Sequence, residues 1–347
     1  MSYICKKYFH SEITMAKFDY SKISSEDIYS GKYVFKDVFA VYDYIKSSGW
    51  NIGWYAAPQF EIMELDKNTI VASPLPMQPL YRGQNAFFEK CLPSLYRRKW
   101  TNLQTLERLV QIEDFKHILQ DNPEIQDNIR GGLSINYNGL AQHYGIETNI
   151  IDLTNSFGVA AFFATSDYNN LDGSYRPVME CIRKGVIYFL PMGIFGFGPT
   201  SENQIWPIGM EALVRPGEQR GFGAYLNENQ DFHSLGGCRF FFWQNSQASV
   251  ECQRRFGFGA VLFPYDPMAE KVWSMRKYRI YGKDSIIKVI KNNQEFGYDT
   301  SNAIKALTDS GCTVLETTPY LYTTDEIKFI SERYHKRYPG SFSENSE

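Results

Sequence analysis

The chain has 347 residues, 43% of them hydrophobic and 16% aromatic, enough apolar material for one large core or two smaller ones and too much for a disordered chain. Its 39 acidic and 36 basic side chains leave a formal net charge of −3, so no global positive field draws a polyanion and general nucleic-acid binding is not supported. Six scattered cysteines without a CxxC pair offer no zinc site, and the opening MSYICKKYFHSE lacks an apolar signal core, so the sequence reads as a soluble cytoplasmic protein with no membrane span.

Residues 1–30 carry mixed signals and read as short elements or a docking arm. Over Val34–Ser48, Val34, Val38, Phe39, Val41, Tyr42 and Ile45 fall near helical spacing and predict an amphipathic helix closed by Gly49. Trp54, Phe60, Ile62 and Met63 predict one or two strands before the turn-rich segment SPLPMQP. LYRGQ at Leu80–Gln84 is strand-compatible, and Arg82 followed by Gly83 lets a charged head enter a cleft while the backbone comes close to a ligand. A solvated arginine in a turn is the plain alternative.

Thr101–Leu119 predicts an amphipathic helix through Leu103, Leu106, Leu109, Val110, Ile112, Phe115 and Ile118. Residues 121–130, polar and containing Pro123, read as a loop, and a helix from Ser134 delivers His143 before Gly145 ends it. Thr148–Thr154 reads as a short, largely buried strand whose Asp152 carboxylate needs a partner. Asn155 and Ser156 cap a buried helix through Phe157, Val159, Ala160, Ala161, Phe162, Phe163 and Ala164. A strand that ends in carboxylate and hydroxyl and runs into a helix N-terminus suits anions and ribose hydroxyls. The alternative is that Asp152 and Thr154 serve only the backbone.

Further on, Gly185–Pro191 predicts a strand and the Gly/Pro-rich run after it a long loop that covers a site. MEALVRPGEQRGFGAY at Met210–Tyr225 places Glu211, Arg215, Glu218, Gln219, Gly221 and Phe222 beside strand ends. Cys238–Trp243 and Gly259–Pro264 read as aromatic strands, with Arg254 and Arg255 in a surface turn between them. Helical spacing returns over 284–291, 301–311 and 324–337. Together these elements predict an α+β fold with a mixed, mostly antiparallel β core, flanking helices and helical terminal decorations.

Two blocks closely resemble the FRG family signature: Tyr81-Arg82-Gly83-Gln84 continued by LPSLYRR, then Leu140-Ala141-Gln142-His143, Gly145, Thr148, Asp152 and Thr154. Leu153 stands where the family usually has tryptophan. A third match, Arg215, Gln219, Gly221 and Phe222, is weaker. The resemblance implies an N-terminal extension over 1–77, an FRG domain over 78–264 and a mainly helical appendage over 265–347.

The blocks also resemble, more faintly, those of ADP-ribosyltransferases: an aromatic-Arg-Gly strand, a hydroxyl-bearing strand leading into a Val/Ala/Phe helix, and a late glutamate. Tyr81-Arg82-Gly83, Thr154 with Val159–Ala164, and Glu211 follow that order. This likeness implies a transferase-like fold with NAD as substrate and no metal. Tyr81, Arg82, Gly83, Asp152, Thr154 and Arg215 would bind the dinucleotide, and Glu211, His143 and Gln219 would carry the chemistry, with the acceptor macromolecule open. Where the transferase pattern expects Ser-Thr-Ser this chain has Asp-Leu-Thr, and Glu211 lies outside a clear Gln/Glu-x-Glu motif. Two other classes stay open: a nuclease or hydrolase using His143 and Asp152, and a non-catalytic module in which Arg82 and Gln219 hold a nucleotide or other anion.

Overall fold

In chain order the protein begins with α1 (Ser25–Tyr29), β1 (Val34–Phe35) and α2 (Val38–Ser47). The structure is a computed structural model that describes residues 23–337 except 51, 56–59, 75–78, 170–172, 192–204 and 209–212. Where one helix was expected over Val34–Ser48, Asp37 divides the segment. Its carboxylate accepts from the Ala40 N–H at 2.9 Å, so the helix starts at Val38 and leaves Val34 and Phe35 to pair with Phe241 and Phe242.

A hairpin of β2 (Phe60–Asp66) and β3 (Thr69–Pro74) precedes β4 (Leu80–Gln84) and α3 (Asn102–Leu119). Thr101 and Gln104 close a reciprocal capping box at the start of α3. The expected loop at 121–130 is instead α4 (Pro123–Arg130): Pro123 sits at a first-turn position, where a missing N–H costs nothing, and Asn122 caps it. Next come α5 (Tyr137–His143), β5 (Ile150–Thr154), α6 (Phe157–Ala164), the hairpin of β6 (Ser166–Asn169) and β7 (Ser174–Pro177), and β8 (Lys184–Leu190).

The later part comprises β9 (Ile205–Pro207), α7 (Val214–Gln219), β10 (Gly221–Tyr225), β11 (Cys238–Trp243) and α8 (Ser246–Arg255). After them come α9 (Pro267–Tyr278), β12 (Ile280–Gly282), α10 (Lys283–Asn292), α11 (Thr300–Asp309), β13 (Thr313–Leu315) and α12 (Thr324–Arg337). Gly259–Pro264 is not a strand: Phe258 and Gly259 both take positive φ, at 54° and 96°, which turns the chain instead of extending it. Arg254 and Arg255 lie in the last turn of α8, both paired with Glu251, and not in a loop.

The fold is α+β around a seven-stranded sheet ordered β1-β11-β8-β4-β5-β10-β9, antiparallel throughout except at β1 and β11. One face buries Leu80, Ile151, Leu153, Val186 and Phe222. The other buries Tyr81, Ile187 and Phe242 against Phe157, Ala160 and Ala164 of α6 and against α2. α3, α4 and α5 share a separate helical core with α9, α10 and α11. Among the described residues no helix is long and apolar enough to cross a membrane.

Candidate functional site

The site opens between the two central strands. β4 pairs with β8 along its whole length but meets β5 at one register position, Tyr81 opposite Thr154. Past it, the Asp152 carbonyl takes its hydrogen bond from a side chain: Arg82 Nη1 donates to it at 2.9 Å. The guanidinium is thereby fixed at the sheet, while its buried Nε has no hydrogen-bond partner among the described residues.

α5 delivers His143 to the same place. Asn136 caps the helix, and Gly145, with φ of 80°, turns the chain out of it directly after His143 and Tyr144. The imidazole is only 3% exposed, with Nδ1 2.8 Å from Gln219 Oε1 and Nε2 3.9 Å from Asp152 Oδ1. Gln219 is the last residue of α7. Arg220 follows in the left-handed region, φ 52°, which stops the helix and starts β10 at Gly221. The Gln219 amide donates to the Leu262 carbonyl at 3.0 Å, which leaves Oε1 to accept from His143. The neutral ring therefore carries its proton on Nδ1 and its lone pair on Nε2.

Asp152 is not the buried carboxylate the strand pattern predicted: its side chain is 42% exposed. Oδ2 accepts from Gln142 Nε2 at 3.0 Å, and Gln142 is oriented by the Thr148 hydroxyl, which donates to its Oε1 at 2.8 Å. The Thr154 hydroxyl is spent within the protein, donating to the Gln219 carbonyl at 2.8 Å and accepting from the Ser156 N–H at 3.1 Å.

These groups line a cleft of about 330 Å³. One wall is aromatic: Tyr175 stacks on Phe263 at 5.1 Å, Phe163 meets both rings edge-on, and Tyr168 packs against Tyr175. Burial first, then Tyr168 and Asp152, pushes the Tyr175 hydroxyl pKa up, so it stays a neutral donor. Arg97 also lines the cleft, its Nε donated to the Leu92 carbonyl at 3.0 Å. Partial desolvation, then the nearby Arg82, draws its pKa below arginine's usual value, though it remains a cation. Among the described lining residues, two arginines face a single carboxylate, Asp152.

The structure thus brings Arg82, His143, Asp152, Thr154 and Gln219 into one cleft. Tyr81 touches the cleft but buries its ring between Phe157 and Phe189. Gly83 serves packing: a Cβ there would lie 1.8 Å from the Ala160 carbonyl oxygen of α6. Arg215 does not line the cleft; its guanidinium sits over the Tyr144 and Phe263 rings at 5.2 and 5.8 Å. Glu211 lies outside the described residues. Sequence reasoning missed Arg97, Tyr175 and Phe263. The Arg97-Arg98 doublet was a signal for the first, whereas the aromatics carried none.

Among the described residues, one group of histidine and carboxylates is spaced to hold a metal ion, Asp114, His117 and Asp284, and none of its members lines the cleft. Asp114 already accepts from the Gly282 N–H and from the Ser285 hydroxyl.

The α+β sheet thus carries a concave, aromatic-walled cleft with buried polar atoms that have no hydrogen-bond partner among the described residues. The FRG domain model matches residues 78–173, and the chain carries an FRG domain there. That interval runs from β4 to the β6–β7 hairpin and includes Arg82, His143, Asp152 and Thr154, whereas Arg215, Gln219 and Phe222 follow it. No curated protein and no solved structure matches the chain.

Proposed function

We propose that this FRG-domain protein binds NAD or a related nucleotide in the cleft and breaks its nicotinamide–ribose bond, passing ADP-ribose to a macromolecule or to water. The observation that carries the reading is the meeting of Arg82, Asp152 and His143, from three separate segments, with Arg82 Nε, Asp152 Oδ1 and His143 Nε2 all buried at one cleft and without a hydrogen-bond partner among the described residues. A fork of guanidinium donors suits phosphate, and the aromatic wall suits a planar ring. In the reaction the C–N electron pair leaves with nicotinamide, and the incoming hydroxyl adds at the ribosyl carbon and loses its proton to solvent. Asp152, the carboxylate at hand, would stabilise the cationic sugar that develops between these events. Gln219 is neutral and orients His143.

Nucleotide recognition without turnover is the second reading. Gln219 favours it, since the side chain that holds His143 in the cleft is an uncharged amide and not a carboxylate.

Calorimetric titration with NAD, with nicotinamide release followed in parallel, separates the two. Arg82→Ala should weaken binding about tenfold to hundredfold, the equivalent of losing a charge-assisted contact of about 1.5–3 kcal/mol. Arg82→Lys should recover only part, because it restores charge without the fork. Asp152→Asn should depress turnover more than binding. Binding without nicotinamide release selects the second reading, and parental behaviour of Arg82→Ala removes the central residue of both.

A further inference from the structure

His143 Nε2 and Asp152 Oδ1 stand 3.9 Å apart, both buried atoms without a hydrogen-bond partner among the described residues. Both are acceptors. The Gln219 amide, held by the Leu262 carbonyl, keeps the ring proton on Nδ1, and Gln142 occupies the other oxygen of Asp152. Gly221 lets β10 pass close to the ring on one side, where a Cβ would lie 2.7 Å from Nε2. Facing acceptors call for donors between them. A cationic donor is disfavoured, because Arg82 and Arg97 line the same cleft. The ligand must therefore be an anion that carries neutral donors, and hydroxyls beside a phosphate meet that description.

We infer that His143 Nε2 and Asp152 Oδ1 form a hydroxyl-reading subsite that takes the diol of a ribosyl group whose phosphate lies on Arg82, so that the cleft selects ribosyl over deoxyribosyl phosphates. This rests on the nucleotide-binding half of the proposed function and not on bond cleavage. The two ends of the ligand are read from one point on the sheet, since Arg82 donates to the carbonyl of Asp152, whose carboxylate faces the diol.

The test is calorimetric titration of the full chain with AMP, 2′,3′-dideoxy-AMP and inorganic phosphate. The unaltered protein should prefer AMP to its dideoxy form by tenfold or more, because the analogue leaves buried acceptors unpaired. In Asp152→Ala and in His143→Ala that ratio should fall toward one, while the affinity for inorganic phosphate, held by Arg82, stays within about twofold of the parent. Equal binding of AMP and dideoxy-AMP by the unaltered protein overturns the inference, and so does an AMP preference that survives both substitutions or the absence of AMP binding at millimolar concentration. The ligand comparison on the unaltered protein requires no variant to fold. Nicotinamide release without a diol preference would sink this inference and leave the cleavage reading standing; a diol preference without release would do the reverse.

Discussion

Replacing Gly83 with alanine separates packing from ligand approach in the Tyr-Arg-Gly-Gln block. The added Cβ would lie 1.8 Å from the Ala160 carbonyl oxygen, 2.7 Å from its carbon and 2.9 Å from the Ala164 nitrogen, where ordinary contact begins near 3.4 Å. All three are backbone atoms of α6, so no side chain can swing aside. The helix must retreat from β4 by more than 1 Å, or the strand must bend. Overpacking typically costs about 1–3 kcal/mol, and a backbone clash belongs at the upper end of that range or beyond. At about 2–4 °C per kcal/mol for a domain of this size, the melting temperature should fall by about 5–10 °C. Thermal unfolding of the ligand-free protein measures it, and hydrogen exchange should show lost protection in α6. A variant that melts like the parent but binds nucleotide poorly would refute the packing argument and return Gly83 to ligand approach.

Asp152→Ala should change the melting temperature little, because the carboxylate is half-exposed and accepts one hydrogen bond, from Gln142; a fall of more than about 2 kcal/mol in unfolding free energy would show that it is structural after all. Asp114 should make stability depend on pH. Burial, offset in part by the donors Ser285 and Gly282 and reinforced by Asp284 and Glu113, lifts its pKa from 3.8 to about 7. Because the folded state then binds more protons than the unfolded chain between those values, stability should fall as pH rises from about 4 to 7, by an amount on the order of a few kcal/mol. Asp114→Asn should flatten that slope in denaturant titrations across the same range, and an unchanged slope would mean that other groups set it.

What the sequence determined by itself was local. Thr101 with Gln104 and Ser156 ahead of Val159 announce helix starts because a cap acts within one turn. The β-branched and aliphatic neighbours of Asp152 announce a short, largely buried strand, and the blocks at Arg82 and at His143 to Thr154 were legible as unusual polar groups in core-forming runs. Even locally, Pro123 misled: the residue that ends a helix in its interior begins one at the first turn, and only Asn122 on its N-terminal side distinguishes the cases.

Only the tertiary structure decided which side chains meet. His143 and Gln219 are 76 positions apart, Arg82 and Asp152 are 70, and no pattern within a strand or helix encodes such pairs. Arg97 and Arg98 are alike as residues, yet Arg97 lines the cleft while Arg98 lies over Trp100. Asp152 looked buried from its neighbours because an apolar run marks a buried strand and not what covers each position; here the Asp152 side chain opens on the cleft. The same holds for Gly83, whose demand comes from the carbonyl of Ala160, and for the lone pair of His143, whose direction depends on an amide anchored to Leu262. Local chemistry is written within a turn or two of chain, whereas a site is made by closing long loops, and which loops close is decided by how all the apolar faces pack at once.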